Sequence, residues 1–85
     1  MAYAVDFAPG AEREFRKLAR EIQLRLRPRI DVLASDPRPA GATKLKGSEN
    51  LWRMRAGSYR IVYEVRDRTL IVLVVRVAHR REVYR

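Results

Sequence analysis

The sequence reads as an α+β chain in the order β-α-α-β-β-β: two N-terminal helices packed on one face of a small, mainly antiparallel sheet. Three observations lead there. Apolar residues recur at three- and four-residue spacing as far as Leu33, and at two-residue spacing from Leu51 onward; these are the periods of half-buried helices and strands. The helical run precedes the strand run instead of alternating with it, which puts both helices on one layer. Finally, 85 residues with 47% hydrophobic content and no cysteine suffice for one modest core without disulfide staples, so residues 1–85 are expected to form a single domain.

Taken in order, Ala2–Phe7 alternates, with Tyr3, Val5 and Phe7 on one side, and reads as a short strand. Pro9 and Gly10 break it. Proline is tolerated in a first helical turn, where its missing N–H has no partner to lose. Ala8, Ala11, Phe15 and Leu18, with charged residues between them, form the stripe of an amphipathic helix. Ile22, Leu26, Ile30 and Leu33 form a second stripe, ending at Ser35-Asp36-Pro37. Pro28 interrupts this helix, and the unbroken stripe favours a kink over a fresh helix start. Thr43 to Gly47 reads as a basic loop. Leu51–Arg55 is a strand, Ala56-Gly57-Ser58 a tight turn, Tyr59–Val65 a strand and Asp67-Arg68 a second turn. Leu70–Val77, apolar on both faces, reads as a central strand.

The charge is strongly basic. Nineteen basic residues against ten acidic ones give +9, and sixteen of the nineteen are arginine. Residues 1–43 are net +2 and residues 44–85 net +7. Arginine stays ionised and presents a planar fork of donors suited to phosphate, so a polyanion meeting the C-terminal half is the first hypothesis; a merely soluble basic surface is the alternative. The absence of cysteine excludes a thiol nucleophile and a Cys-based zinc site and fits a reducing, cytoplasmic setting. The longest nearly apolar run, Leu70–Val75, falls well short of the ~20 residues of a membrane span, and Met1–Phe7 lacks the features of a signal peptide.

Strand parity groups the side chains. Trp52 and Met54 oppose Arg53 and Arg55. Tyr59, Ile61, Tyr63 and Val65 oppose Arg60, Val62 and Glu64. Ile71, Leu73, Val75 and Val77 oppose Leu70, Val72, Val74, Arg76 and, on a longer strand, Arg80. The fully apolar sets are expected to meet the helices, leaving Arg53, Arg55, Arg60, Arg76 and Arg80 on the opposite face over a floor of Val62, Val72 and Val74. Arginines above an apolar floor form a seat for a base and its phosphates; the alternative is that each one snorkels to water.

Several chemistries are excluded. One histidine forbids HExxH and multi-His metal sites, the four glycines stand apart, and the few acids are mostly helical. No metal or cofactor is called for. The remaining kit of arginine, lysine, His79 and Tyr84 suits metal-free RNA cleavage, in which the RNA supplies its own 2′-OH nucleophile. His79 or Tyr84 are the candidates for moving protons. Equally, His79 reads as a surface or packing residue, Tyr84 as a plug on the core, and Trp52 as core.

These segments together resemble the RelE branch of the RelE/ParE toxin superfamily, bacterial toxins encoded beside an antitoxin. The likeness rests on the N-terminal strand, Arg16-Lys17-Leu18, Asp36-Pro37 and Lys44-Leu45-Lys46-Gly47. It continues through Trp52-Arg53-Met54-Arg55-Ala56-Gly57-Ser58-Tyr59-Arg60-Ile61-Val62-Tyr63-Glu64-Val65 and Val77-Ala78-His79-Arg80-Arg81-Glu82-Val83-Tyr84-Arg85. The resemblance implies a ribosome-dependent endoribonuclease that cuts mRNA in the A site without metal and leaves a 2′,3′-cyclic phosphate. It implies catalytic roles for Arg53, Arg55, Arg60, Arg80 and Tyr84, with His79 as a possible base. RNA binding falls to Lys44, Lys46, Arg76 and Arg81. Lysine is common in this family where Arg53 and Arg55 stand, and arginine is the poorer proton acceptor. The implied partners are a cognate antitoxin, acidic or amphipathic, and the 70S ribosome with its 16S rRNA and A-site mRNA. No membrane is implied, and the toxin alone is expected to be a monomer that assembles further with antitoxin. Two alternatives stand: a ParE-like DNA gyrase poison acting by protein binding, and a non-catalytic basic RNA-binding module.

Overall fold

A computed structural model describes residues 2–47 and 50–79. Strand β1 (Ala4–Phe7) leads into helices α1 (Pro9–Lys17) and α2 (Arg20–Asp31), followed by one 3-10 turn (Val32–Ala34). Strands β2 (Thr43–Lys44), β3 (Leu51–Ala56), β4 (Tyr59–Arg66) and β5 (Ile71–His79) follow in the described residues. The sheet order is β1-β5-β4-β3-β2, with β1 parallel to β5 and the other pairings antiparallel. The expected α+β architecture is present, with one addition: Thr43 and Lys44 pair with β3 as a fifth strand instead of belonging to a loop.

Pro9 stands in the first turn of α1, where it loses no hydrogen bond. The open C-terminal carbonyls of α1 are met from the next helix, because the Gln23 side chain donates to the carbonyls of Leu18 at 2.9 Å and Arg16 at 3.3 Å. Helix α2 runs through Pro28 as one element. Pro28 stands exposed, and Leu24, whose carbonyl loses its donor, is 63% exposed. The disruption therefore falls on the solvent side, where water can serve the freed carbonyl.

The core joins Ala11, Leu26, Ile30 and Leu33 of the helical layer to Met54, Ile61, Tyr63, Val65, Val72, Val74 and Val77 of the sheet. Parity holds on β3 and β4 but not along β5. Tyr63 lies opposite Val74 while Val62 lies opposite Arg76, so Val75 is an extra residue and the register steps there. Such a bulge exchanges the two faces of a strand. Val72 and Val74, expected beneath the arginines, are fully buried against the helices instead. The floor on the other face is Val62 together with Ala78, which lies opposite Arg60. Strand β5 also starts one residue late, because Leu70 adopts a left-handed φ of 54° that ends the preceding turn.

The loop after α2 is pinned at several points. The Tyr63 hydroxyl donates to the Pro37 carbonyl at 2.8 Å. Arg38 forms an ion pair with Asp67 at 2.7 Å and lies over the Trp52 ring at 5.4 Å. The Tyr3 hydroxyl reaches the same carboxylate at 2.6 Å. These contacts fix the path of residues 39–43 past β3.

Candidate functional site

The site begins with a tight hairpin. Gly57 takes a φ of 62°, the left-handed value a two-residue hairpin asks of its first central residue. Ala56 and Tyr59 close the turn, which locks the register: Arg55 lies opposite Arg60 and Arg53 opposite Val62. All three arginines therefore project from the face away from the helices. Like charges directly opposed across two strands cost stability, so the Arg55–Arg60 pair is a poor arrangement for folding alone. Arg60 is only 5% exposed, Arg53 is half-buried and Arg55 is exposed.

A cleft of about 320 Å³ opens beside this hairpin, lined by Arg29, Arg53, Arg55 and Arg60 with Ala40, Gly41, Thr43 and Met54. No acidic side chain is among its described lining residues. Arg29 comes from the last turn of α2, and its Nη2 donates to the Arg55 carbonyl at 3.0 Å. Thr43, opposite Arg53 in the register, adds a hydroxyl. Sequence reasoning missed both. Arg29 is one of several arginines on α2, and only the folded chain shows which of them meets the edge of β3.

The remaining expected residues divide. Arg76 does not join the cluster: the register sets it opposite Val62, but its Nε donates to Glu14 Oε2 of α1 at 3.1 Å. His79 is paired with Tyr59, its ring edge-on to the tyrosine at 5.6 Å between centroids. It shares a hollow with Lys17 of α1 and with Leu18 just after it, on the helix side of the sheet and across from the arginines. Lys44 lies opposite Trp52, so Thr43 takes the place beside Arg53, and Lys46 is exposed in the turn that follows. Arg80, Arg81 and Tyr84 lie outside the described residues.

Chemically, the cleft offers charge and planar N–H donors of the kind that clasp phosphate in two parallel bonds. Among the described residues no group of three or more His, Cys, Asp or Glu is placed to hold a metal ion, and no helix is long and apolar enough to cross a membrane. Shifted titrations are found at Tyr63 and Asp67. Burial pushes the Tyr63 hydroxyl up to about 12. Hydrogen bonds from Arg38 and Tyr3 hold the Asp67 carboxyl below the usual carboxylate range.

Comparison with known proteins places this geometry. The family described as "ParE toxin of type II toxin-antitoxin system, parDE" matches residues 5–84. The mRNA interferase toxin RelE of Escherichia coli K12 is 35% identical over 88 aligned residues, covering 99% of this chain and 92% of the relative. The crystal structure of the isolated E. coli RelE toxin superposes with a TM-score of 0.82 at 32% identity, covering 98% of this chain and 92% of that one. The toxin of the intact E. coli RelBE toxin–antitoxin complex gives 0.79 at 32% identity, over 92% and 96% of the two chains. With its fold and nearly its full length matched, the chain belongs to the RelE/ParE toxin superfamily of type II toxin–antitoxin systems.

Proposed function

We propose that the protein is a RelE-type toxin acting as a ribosome-dependent, metal-independent endoribonuclease that cleaves mRNA in the ribosomal A site. The observation that carries this reading is the convergence of Arg53, Arg55 and Arg60 on one cleft whose described lining holds no acidic side chain. The likeness to a relative named as an mRNA interferase supports it.

In the proposed reaction the scissile phosphate sits over the Arg55–Arg60 pair. The ribose 2′-oxygen attacks phosphorus and gives up its proton, a 2′,3′-cyclic phosphate forms, and the bond to the 5′-oxygen breaks as that oxygen takes up a proton. The guanidinium groups neutralise the charge that builds on the pentacoordinate phosphorus and hold the 2′-oxygen in line. Arg80 and Tyr84 complete the set through the family resemblance. His79 receives no proton-transfer role, because its ring packs on Tyr59 on the helix side. The solved toxin–antitoxin complexes among the similar structures support a cognate antitoxin as partner.

Primer extension on mRNA translated by purified ribosomes tests the reading. Cuts within A-site codons are expected, with 2′,3′-cyclic phosphate ends. Arg60→Ala lowers kcat by about 10²–10³, the usual cost of removing one transition-state donor. A toxic, folded preparation that leaves translated mRNA intact overturns it. The family description names ParE, so DNA supercoiling by gyrase is assayed in parallel; inhibition there with mRNA left intact favours the gyrase-poison reading.

A further inference from the structure

We infer that Arg29 of α2 forms a second phosphate subsite, which grips the RNA backbone one nucleotide away from the scissile group as the strand passes over the edge of β3. The inference rests on the RNA-cleavage reading above and extends its site from the sheet face to the helical layer.

Strand β2 covers β3 only at Trp52 and Arg53, so the cleft opens at the sheet edge beyond that pairing. There Arg29 crosses from the helices to β3 through one bond, Nη2 to the Arg55 carbonyl. A guanidinium has five N–H donors, and this anchor fixes the group while leaving most of them for a ligand. Neither Arg29 nor Arg55 is ion-paired with an acid among the described residues, although five other ion pairs form there. Arg29 and Arg55, side by side at the β3 edge and both exposed, present guanidinium donors suited to a phosphate-bearing ligand. The cleft volume, about 320 Å³, lies at the lower end of small-ligand sites and accommodates a nucleotide-sized piece of a strand. Arg29 reaches this cleft from the helical layer and the Arg55–Arg60 pair from the sheet, and in this inference each holds its own phosphate.

The test uses a 2′-O-methyl RNA hexamer, which lacks the nucleophile and stays intact. Binding is measured against salt for the parent protein, Arg29→Gln, Arg29→Lys and Arg25→Gln, the last an exposed arginine of the same helix outside the cleft. Losing one phosphate contact lowers the slope of log K against log[salt] by about 0.7 for single strands. Arg29→Gln is expected to show that drop, while Arg29→Lys and Arg25→Gln keep the parental slope. On ribosomes, Arg29→Gln is expected to raise KM several-fold with kcat within about twofold, unlike Arg60→Ala. An unchanged slope in Arg29→Gln, or an equal drop in Arg25→Gln, overturns the subsite. The hexamer measurement needs no cleavage, so failure of the nuclease reading shows separately, as a parent protein that binds RNA through Arg29 without cutting mRNA.

Discussion

At the scale of single residues, function and stability pull against each other at Arg55. Its side chain lies directly opposite Arg60, and a like-charge pair in that position is destabilising by up to about 1 kcal/mol. Arg55→Glu turns repulsion into attraction. It is expected to raise the melting temperature by about 4–8 °C, the shift that 1 kcal/mol produces in a domain of this size, while RNA cleavage is lost. Melting curves and the primer-extension assay, run on one preparation, check both halves; an unstabilised Arg55→Glu would mean the pair carries no strain. Tyr63 shows the reverse case, a buried group that serves only the fold. Its hydroxyl donates to the Pro37 carbonyl, and burial pushes its titration up to about 12. The unfolded tyrosine ionises near ~10, so the raised folded value adds stability that is complete below pH 10. That contribution is lost as pH rises from 10 towards 12. Tyr63→Phe should cost about 1 kcal/mol at neutral pH through the lost hydrogen bond and flatten the alkaline decline. Urea titrations at pH 7, 10 and 11.5 separate the two effects.

Among the elements, β5 carries the largest departure from what the sequence suggests. Glu14 reaches from α1 into the bulge, accepting from the Val77 amide at 2.9 Å and from Arg76 Nε at 3.1 Å. One carboxylate thus ties the helix to the Val77 amide and to Arg76, just after the extra residue. Removing it in Glu14→Ala should cost about 2 kcal/mol, since hydrogen bonds to a charged group contribute about 1.5–3 kcal/mol. Amide exchange at Val75 to Val77 is expected to speed up well before exchange in β4; uniform protection across both strands would show that the bulge stands without Glu14. The same contact explains which parts of the molecule were legible in advance. The β3–β4 hairpin was readable because Gly57 fixes a two-residue turn and the arginines alternate with apolar partners, so parity alone gathered Arg53, Arg55 and Arg60. Residues 70–77 are apolar on both faces, and nothing in such a run marks where one extra residue enters. The Val75 bulge, the burial of Val72 and Val74 and the diversion of Arg76 were therefore invisible. So was Arg29, whose place depends on where the end of α2 meets β3, and so was the short pairing of Thr43 and Lys44.

For the whole molecule the governing quantity is a net charge of +9 on a body with a radius of gyration of 12.0 Å. Two electrostatic contributions compete. Ion pairs such as Arg16–Glu12, Arg27–Asp31 and Arg38–Asp67 involve substantially exposed partners, and exposed pairs contribute only about 0–1 kcal/mol each. Against them stands the mutual repulsion of an excess of arginines, which favours any state that spreads the charge. The Debye length shortens from about 30 Å at 0.01 M salt to about 8 Å at 0.15 M. Over that range screening passes from longer than the protein's radius to shorter, so the diffuse repulsion is quenched while contact pairs a few ångströms apart persist. Sodium chloride from 0.01 to 0.15 M is therefore expected to raise the melting temperature by several degrees, while affinity for single-stranded RNA falls over the same range. Opposite responses to one salt series would separate a charge held for binding from a charge that stabilises the fold. A melting temperature that falls with salt would reverse the balance and make the ion pairs the dominant electrostatic contribution.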